Sequence, residues 1–343
     1  MRNKKIIKRI VEFAEASVCI VFLSACSAPP PETEYVLGTI CTVNLYEQGS
    51  AKIYSAVFSR LHELENILSA NADDSNIAEI NRNAGIKPVV AAPETITLLN
   101  EGIVFSKKTN GIFDPTIGPL VKAWNIGTEY AAVPSLDTIQ KACALINFRN
   151  VVVNQSNRTI FLTQKDMKLD LGAIAKGYAA DEIVNILKAH TIKRGIIDLG
   201  GNIFAYGEKA SGKPWTVGIK NPEVEHGEPI LSIPVKNTSV VTSGIYERFF
   251  ESNGKRYHHI LDPRTGFPAE NDLLSVTIIS PVSMIADALS TSVFLLGREK
   301  GMMLVEQTPD TEVIFIDKNR KIFTSSGLKG KLSILNEQFT LAQ

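Results

Sequence analysis

The sequence has 343 residues, enough for one large domain or two ordinary ones with a full hydrophobic core. Hydrophobic residues make up 44% and charged residues 21%, which excludes both an intrinsically disordered chain and a membrane protein with many spans. The 36 Lys and Arg residues balance the 36 Asp and Glu residues, so the overall charge does not indicate nucleic-acid binding, which needs a basic surface.

The first 25 residues have the composition of an export signal. Basic residues precede an apolar run from Ala16 to Leu23, which is too short to span a ~30 Å hydrocarbon core. The run Leu-Ser-Ala-Cys that ends at Cys26 resembles the lipobox of bacterial lipoproteins, in which the signal is removed before a lipidated cysteine. We therefore expect a lipoprotein signal peptide at 1–25 and a lipid on Cys26. An ordinary secretory signal with an incidental cysteine is the alternative.

A short tether and one large domain are expected to follow the signal. Residues 26–34 include three consecutive prolines, which keep a chain extended without burying apolar surface. Residues 35–343 contain neither a linker-like stretch nor an internal repeat, so we expect one catalytic domain there. Without residues 1–25, 31 basic and 34 acidic residues remain, so the mature chain is mildly acidic. We expect it in the bacterial cell envelope, anchored to the membrane by lipid and facing outside the cytoplasm.

Hydrophobic periodicity predicts the elements of the first half of this domain. An alternating pattern predicts a strand at 35–46, and apolar residues at helical spacing predict helices at 51–68, 75–82, 94–109 and 135–146. Residues 151–153 and 159–162 predict a hairpin around a polar turn. A strand that ends at 169–171 leads directly into a predicted helix from about 174 to 190.

The second half is dominated by predicted strands, at 195–206, 215–220, 230–235, 239–243, 246–252 and 255–261. Asn253-Gly254 is a strong hairpin turn. A strand at 274–280 precedes a helix at 282–296 that Gly297 ends, followed by a helix at 298–307 and strands at 311–317 and 320–324. Hairpins interleaved with helices predict an α+β fold with a largely antiparallel sheet and packed helices.

Two cysteines, Cys41 and Cys143, remain in the predicted domain. Their spacing matches no zinc-binding pattern. An exported protein can form a disulfide, but two unlinked thiols fit the sequence equally well.

Four segments are richer in glycine, proline and polar residues than folding alone requires. Residues 111–120 form a loop around Asp114, and 169–177 form a strand, glycine and helix junction with Lys176 one turn later. Such a junction can direct N–H groups and the positive end of the helix dipole at an anion, although many junctions of this kind are purely structural. The glycine pair at 200–201 favours a bulge or a close backbone approach.

The fourth segment combines a histidine-rich strand end at 258–266 with an apolar helix that carries Asp287. Asp287, Ser290 and Thr291 share one helical face. Hard oxygen ligands at this spacing favour Mg²⁺. The alternative is that Asp287 faces solvent or accepts a hydrogen bond from a backbone N–H.

Six motifs, taken in order, resemble the ApbE family over roughly residues 35–330. They are Phe-Asp-Pro-Thr-Ile-Gly-Pro-Leu-Val at 113–121, Leu-Asp-Leu-Gly-Ala-Ile-Ala-Lys-Gly-Tyr at 169–178, Asp-Leu-Gly-Gly-Asn at 198–202, Thr-Ser-Gly-Ile-Tyr-Glu-Arg-Phe-Phe at 242–250, His-Ile-Leu-Asp-Pro-Arg-Thr-Gly at 259–266 and Ala-Asp-Ala-Leu-Ser-Thr at 286–291. The resemblance implies a single T-fold-like catalytic domain. It also implies Mg²⁺-dependent transfer of FMN from FAD to a Thr or Ser hydroxyl of a target flavoprotein, with a phosphoester product and release of AMP.

The resemblance also assigns residues to roles. It implies contacts with FAD at Leu37, Ile112, Phe113, Asp114, Asp170, Lys176 and Leu261. Metal ligands fall on the carbonyl of Ala173 and on the side chains of Asp287 and Thr291. His259 is the implied catalytic base, ahead of His258.

Two positions depart from the family pattern. Asn71 stands where many relatives have an aromatic residue, so stacking on a ring of FAD is expected to be weaker or supplied elsewhere. Ser290 stands where some relatives have a second Asp, and a hydroxyl is the poorer metal ligand.

The expected partners are FAD, the membrane, and an acceptor flavoprotein that is either a subunit of a membrane redox complex or an exported protein; no nucleic acid is expected. Two further functions stay open: a Mg²⁺-dependent FAD pyrophosphatase that produces FMN and AMP, and an exported flavin-binding lipoprotein without catalysis. The combination of Asp287, Thr291 and His259 argues against the second of these, because binding alone does not need all three.

Overall fold

The computed structural model describes residues 29–224 and 227–342. The predicted signal peptide at 1–25 and the lipidation of Cys26 lie outside these residues. The helices that the described residues form are α1 (Ala51–Leu68), α2 (Asn76–Arg82), α3 (Pro93–Lys108), α4 (Gly118–Trp124), α5 (Leu136–Cys143), α6 (Gly172–Ala189), α7 (Ser283–Leu296) and α8 (Arg298–Glu306). Among these helices, none is both long enough and apolar enough to cross a membrane.

The strands of the first half are β1 (Glu32–Val36), β2 (Thr39–Asn44), β3 (Val89–Val90), β4 (Val151–Asn154), β5 (Thr159–Leu162), β6 (Gly195–Leu199), β7 (Asn202–Tyr206) and β8 (Trp215–Ile219). Those of the second half are β9 (Leu231–Val235), β10 (Thr238–Gly244), β11 (Phe249–Ser252), β12 (Lys255–His258), β13 (Leu273–Ser280), β14 (Glu312–Asp317), β15 (Lys321–Thr324), β16 (Ser333–Ile334) and β17 (Thr340–Leu341).

The centre of the molecule is a nine-stranded sheet with the order β1-β2-β6-β7-β10-β13-β14-β15-β17. All neighbours in it are antiparallel except β15 and β17. The register places Val241 of β10 opposite both Asn202 of β7 and Ile278 of β13. The predicted α+β fold with a largely antiparallel sheet is confirmed.

The two faces of this sheet bury different cores, as alternation along each strand requires. In β14, Val313 and Phe315 pack with the helices α1, α6 and α7 in the main core. Ile314 and Ile316 point the other way and pack with the small sheet β16-β9-β8 in a second core. The main sheet therefore has a helical layer on one face and a three-stranded layer on the other.

A third, smaller core joins α4 and α5 to the hairpin β11–β12. Its centre is Trp124, which is completely buried and whose indole N–H donates to the carbonyl of Gly266 at 2.8 Å. The Trp124 ring packs against Phe250 and Tyr257 of the hairpin. This core fixes the base of the hairpin, where His259 follows β12.

The predicted strand at 35–46 is wrong in one respect. The chain forms a hairpin there, with β1 and β2 on either side of a turn in which Leu37 has φ 56° and Gly38 has φ 67°. The sheet begins at Glu32, three residues before the predicted start of the domain, because β1 pairs along its whole length with β2. Residues 32–34, which were expected to belong to a tether, therefore form the start of β1.

The glycine pair Gly200-Gly201 is a turn rather than a bulge. Both residues have positive φ values, 64° and 89°, and they connect β6 to β7. The two cysteines of the domain are free, with Cys41 buried. Of the two alternatives for Cys41 and Cys143, unlinked thiols are confirmed.

Candidate active site

A cavity of about 250 Å³ lies where α6, α7, the start of β7, the end of β10 and the segment after β12 meet. Its lining brings together ten of the residues that the sequence singled out: Ile112, Phe113, Asp114, Asp170, Ala173, Lys176, His259, Leu261, Asp287 and Thr291. Nine of these residues come from four of the six motifs, and Ile112 directly precedes the first motif. Leu37 does not line the cavity; it lies in the β1–β2 turn and packs against the main core.

Asp287 is the most buried acid of this site, with 4% of its surface exposed. Its Oδ2 accepts a hydrogen bond of 2.9 Å from the backbone N–H of Gly177, and Lys176 Nζ lies 3.6 Å from its Oδ1. The alternative that Asp287 bonds a backbone N–H is therefore realised, but the carboxylate still faces the cavity. A buried carboxylate requires such partners, because an unpaired charge is costly to bury.

The contact with Gly177 also affects Ala173. In a regular α-helix, the N–H of Gly177 would donate to the carbonyl of Ala173, four residues earlier. Its donation to Asp287 competes with that bond, so the Ala173 carbonyl oxygen retains capacity to bind a second group. Ala173, Asp287 and Thr291 line the same cavity.

Gly177 is essential to this arrangement because of how closely α6 and α7 pack. A Cβ atom at Gly177 would lie 2.3 Å from the carbonyl oxygen of Ser283. Asp181, one turn later in α6, accepts hydrogen bonds of 2.9 Å from the N–H groups of Ser283 and Met284 and so caps α7. The two helices are thereby held in the register that places Asp287 beside Lys176.

The start of α6 differs from the sequence expectation. The predicted helix began near residue 174, whereas α6 begins at Gly172, whose N–H donates to Asp170 Oδ1 at 2.8 Å. The N–H groups of Ile174 and Ala175 donate to the carbonyl of Leu171. Three of the first four N–H groups are thus bonded within the protein, so the helix start offers an anion fewer donors than the sequence suggested.

Asp114 organises its loop. Its Oδ1 accepts from the N–H and hydroxyl of Thr116, and its Oδ2 accepts from the N–H of Phe148 at 2.9 Å. Burial raises the pKa of Asp114, and these hydrogen bonds act in the opposite direction. The carboxylate therefore fixes the position of Phe113, the aromatic residue of the cavity wall.

His259 lies opposite Arg248 at the base of the hairpin. Its backbone N–H and its Nδ1 both contact the carbonyl oxygen of Arg248, at 3.0 and 3.3 Å. Because a carbonyl oxygen only accepts, Nδ1 carries the proton, and the lone pair of the neutral ring is on Nε2. Burial, followed by the positive charge of Arg248, lowers the pKa of His259 to about 3. The ring is therefore a neutral proton acceptor at physiological pH.

His258, the weaker candidate, points to the other side of β12. Its Nε2 donates to the carbonyl of Ala269 at 3.1 Å, and its Nδ1 accepts from the N–H of Ile260. Both ring nitrogens are thus engaged inside the protein, and burial lowers the pKa of His258 to about 4. Its contacts are those of a structural residue.

The two positions that depart from the family pattern lie outside the cavity wall. The hydroxyl oxygen of Ser290 lies 2.8 Å from Ser243 Oγ and 2.8 Å from the carbonyl oxygen of Asp287. The Ser290 side chain therefore holds α7 against β10. Asn71 is exposed and follows α1, with its N–H donating to Ser69. Phe113 is the aromatic side chain that the described cavity wall offers for stacking.

The cavity also includes residues for which no individual role was predicted from the sequence, above all Glu247 and Arg248. They belong to the motif at 242–250, which was recognised only as part of the family pattern. Apolar residues of α4 and of the segment that follows it, such as Val121 and Ile126, close the opposite wall. The spacing of the motif could not show that its charged pair turns into the cavity.

Comparison with known proteins agrees with this geometry. The model of the ApbE family matches residues 37–315. The chain belongs to the ApbE family. The FAD:protein FMN transferase of Treponema pallidum (strain Nichols) is 43% identical over 325 residues, which cover 90% of each chain.

Solved structures of the ApbE family have the same fold. The ApbE protein of Thermotoga maritima superposes with a TM-score of 0.79 at 31% identity, over 88% of this chain and 98% of that one. The flavin transferase ApbE of Vibrio cholerae gives a TM-score of 0.78 at 26% identity, over 88% and 98%.

Proposed function

We propose that the chain transfers FMN from FAD to a hydroxyl group of a target protein and releases AMP. The observation that carries the proposal is the convergence of ten predicted residues from separate motifs on one cavity. The similarity to FAD:protein FMN transferases over 90% of the chain supports it. The acceptor group is a Thr or Ser side chain of a flavoprotein, which becomes a phosphoester.

The cavity has an apolar part and a charged part, as a dinucleotide with a flavin ring requires. Ile112, Phe113 and Leu261 supply apolar and aromatic surface for the ring system. Lys176 supplies a positive charge for the pyrophosphate, held in place by its contacts with Asp287 and with the carbonyl of Gly172.

The donors at the charged end fit Mg²⁺. One carboxylate (Asp287), one hydroxyl (Thr291) and one carbonyl (Ala173) are hard oxygen ligands, and Mg²⁺ commonly takes few protein ligands beside water and substrate phosphate. The described residues contain no group of three or more His, Cys, Asp or Glu side chains that could hold a metal ion by themselves. When bound, Mg²⁺ would neutralise charge on the pyrophosphate.

In the transfer, the acceptor oxygen forms a bond to the phosphorus of the FMN half of FAD. The bond between that phosphorus and the oxygen of the AMP phosphate breaks, and its electron pair leaves with AMP. The proton of the acceptor hydroxyl passes to Nε2 of His259, which is already unprotonated at physiological pH. The Arg248 carbonyl holds the ring in the required tautomer.

The place of action follows from the N-terminal sequence. We propose that residues 1–25 direct export and that lipidated Cys26 anchors the domain to the membrane, outside the cytoplasm. The lipobox-like run and the prolines that follow support this. The acceptor flavoprotein then has to be exposed on the same side of the membrane.

The function is tested by incubating the purified chain with FAD, Mg²⁺ and a flavoprotein acceptor. We expect fluorescent acceptor in a denaturing gel and a mass increase equal to FMN less water. AMP release without an adduct would favour the FAD pyrophosphatase. Saturable FAD binding without AMP would favour a flavin-binding lipoprotein.

A further inference from the structure

Arg248 occupies a distinctive position in the cavity wall. It immediately precedes β11, and it lies directly across the hairpin from His259, because Phe249 of β11 pairs with His258 of β12. The carbonyl of Arg248 holds His259, while its side chain also lines the cavity. Backbone and side chain of one residue thus serve the same part of the site.

The guanidinium of Arg248 is positioned but not neutralised. Its Nη2 donates to the carbonyl of Gly38 in the β1–β2 turn, at 3.2 Å. A guanidinium has five N–H donors, so this one bond fixes the side chain and leaves donors for a ligand. The ion pairs found among residues 29–224 and 227–342 do not include Arg248, whereas Lys176 lies 3.6 Å from Asp287.

The charge of the cavity wall makes Arg248 important for an anionic ligand. The described acids that line the cavity are Asp114, Asp170, Glu247 and Asp287, and the cations that line it are Lys176 and Arg248. The mature chain is mildly acidic, so its overall charge does not attract a phosphate. A planar guanidinium with free donors is the group best suited to bind one.

We propose that Arg248 binds the FMN phosphate of FAD, the phosphoryl group that is transferred. This rests on the proposed function. His259 accepts the proton of the attacking hydroxyl, so it must lie within hydrogen-bond distance of the oxygen that bonds to this phosphorus. Arg248 lies across the hairpin from His259 and therefore reaches the same phosphoryl group, rather than the phosphate that leaves with AMP.

The test compares ligands that differ by one phosphate. Binding of FMN, riboflavin and AMP to the full chain is measured by calorimetry for wild type, Arg248→Met, Arg248→Lys and Arg256→Met. Arg256 lies on the same hairpin, stacks over Phe249 and pairs with Glu251 away from the cavity, so it is the matched control. Thermal unfolding of each variant checks its fold.

Arg248→Met is expected to weaken FMN binding by roughly 10- to 100-fold, the range for a charge-assisted hydrogen bond, and to change riboflavin binding by less than about twofold. Arg248→Lys should restore part of the loss, which a merely structural role would not predict, and Arg256→Met should match wild type.

The proposal is wrong if wild type does not bind FMN, or if Arg248→Met binds FMN with an affinity within about twofold of wild type. It is also wrong if Arg248→Met weakens riboflavin binding as much as FMN binding, or weakens AMP binding more than FMN binding. None of these measurements requires turnover. Failure of the transferase function would be seen separately, as absence of an adduct with the wild-type chain.

Discussion

Asp287 combines deep burial with one backbone hydrogen bond and one lysine contact. Replacing it by Asn keeps the shape and an oxygen that can accept from Gly177, but it removes the negative charge that a cation requires. We expect Asp287→Asn to lower the rate of FMN transfer by at least about 100-fold, as loss of a major electrostatic contribution does.

The matched control for this substitution is Asp137→Asn. Asp137 lies in α5 with 71% of its side chain exposed, and its pairing with Lys141 is on the surface. The rate of FMN transfer by Asp137→Asn should equal that of wild type. An unchanged rate for Asp287→Asn at limiting Mg²⁺ would refute the metal assignment.

His259 is expected to stay neutral well below pH 6.5. Desolvation, Arg248, His258 and Lys176 all disfavour its charged form, and only the Arg248 carbonyl acts in the opposite direction. Titration of the histidine ring protons by NMR, with His259→Gln to assign the resonance, should show no midpoint above about pH 5. A midpoint near the ordinary value would show that the ring is solvated and would contradict the burial that lowers its pKa.

The lowered pKa of His259 also affects the free energy of unfolding. The unfolded chain protonates His259 as pH falls through about 6.5, whereas the folded chain does so only near 3, so the stability that this group contributes is lost on acidification between those values. Asp181 has the opposite slope, because burial raises its pKa to about 6. The contribution of His259 is therefore obtained by measuring the free energy of unfolding against pH for wild type and for His259→Gln, and taking the difference.

At the scale of elements, the crossing of α6 and α7 forms the charged end of the site. Gly177→Ala would place a methyl group against the Ser283 carbonyl and force the helices apart. We expect it to destabilise the protein by about 1–3 kcal/mol, the usual cost of overpacking, and to abolish most activity by displacing Asp287. Urea unfolding and the transfer assay measure the two effects.

Gly102→Ala in α3 is the control for that substitution. A Cβ there would meet Pro115 at 3.4 Å, close to an ordinary contact, and alanine favours a helix over glycine by up to about 1 kcal/mol. It should be neutral or slightly stabilising. If Gly177→Ala kept the stability and the transfer activity of Gly102→Ala, the close crossing of α6 and α7 would not be what positions Asp287.

Elements with clear periodicity were predictable from sequence, and those fixed by tertiary contacts were not. In α1, Ile53, Val57 and Leu61 recur at helical spacing, and the helix has the predicted bounds. The turn at Leu37 was missed because a leucine with positive φ has no local signal. Helix α4 was also missed, since seven residues that begin with Gly-Pro read as loop.

For the whole molecule, the site residues were predictable from the family resemblance. Their spacing in the sequence alone would not have shown that they lie in one cavity. Asp170 and Asp287 are 117 positions apart in the sequence and line one cavity. The sequence identified Lys176 by its motif, whereas Arg248 reaches the cavity through a hairpin whose register only the fold determines. Residues 26–343 are mildly acidic overall, so these two local cations are the groups that would attract a phosphate.

The proposed membrane attachment also concerns the whole chain. We expect Cys26→Ser to carry no lipid and to keep residues 1–25, because the thiol that would carry the lipid is gone and the signal is removed only before a lipidated cysteine. Cys19→Ser, within the predicted signal, should be lipidated and processed like wild type. A wild-type N-terminus without lipid by mass spectrometry would contradict lipidation.

The cavity is proposed to transfer the FMN half of FAD to an acceptor protein and to release AMP. The most direct measurement is the ratio of AMP released to flavin covalently bound to the acceptor, in one reaction of the wild-type chain with FAD, Mg²⁺ and acceptor. We expect one AMP for each bound flavin and almost no AMP when the acceptor is omitted. AMP in large excess over bound flavin, or at the same rate without acceptor, would contradict this proposal.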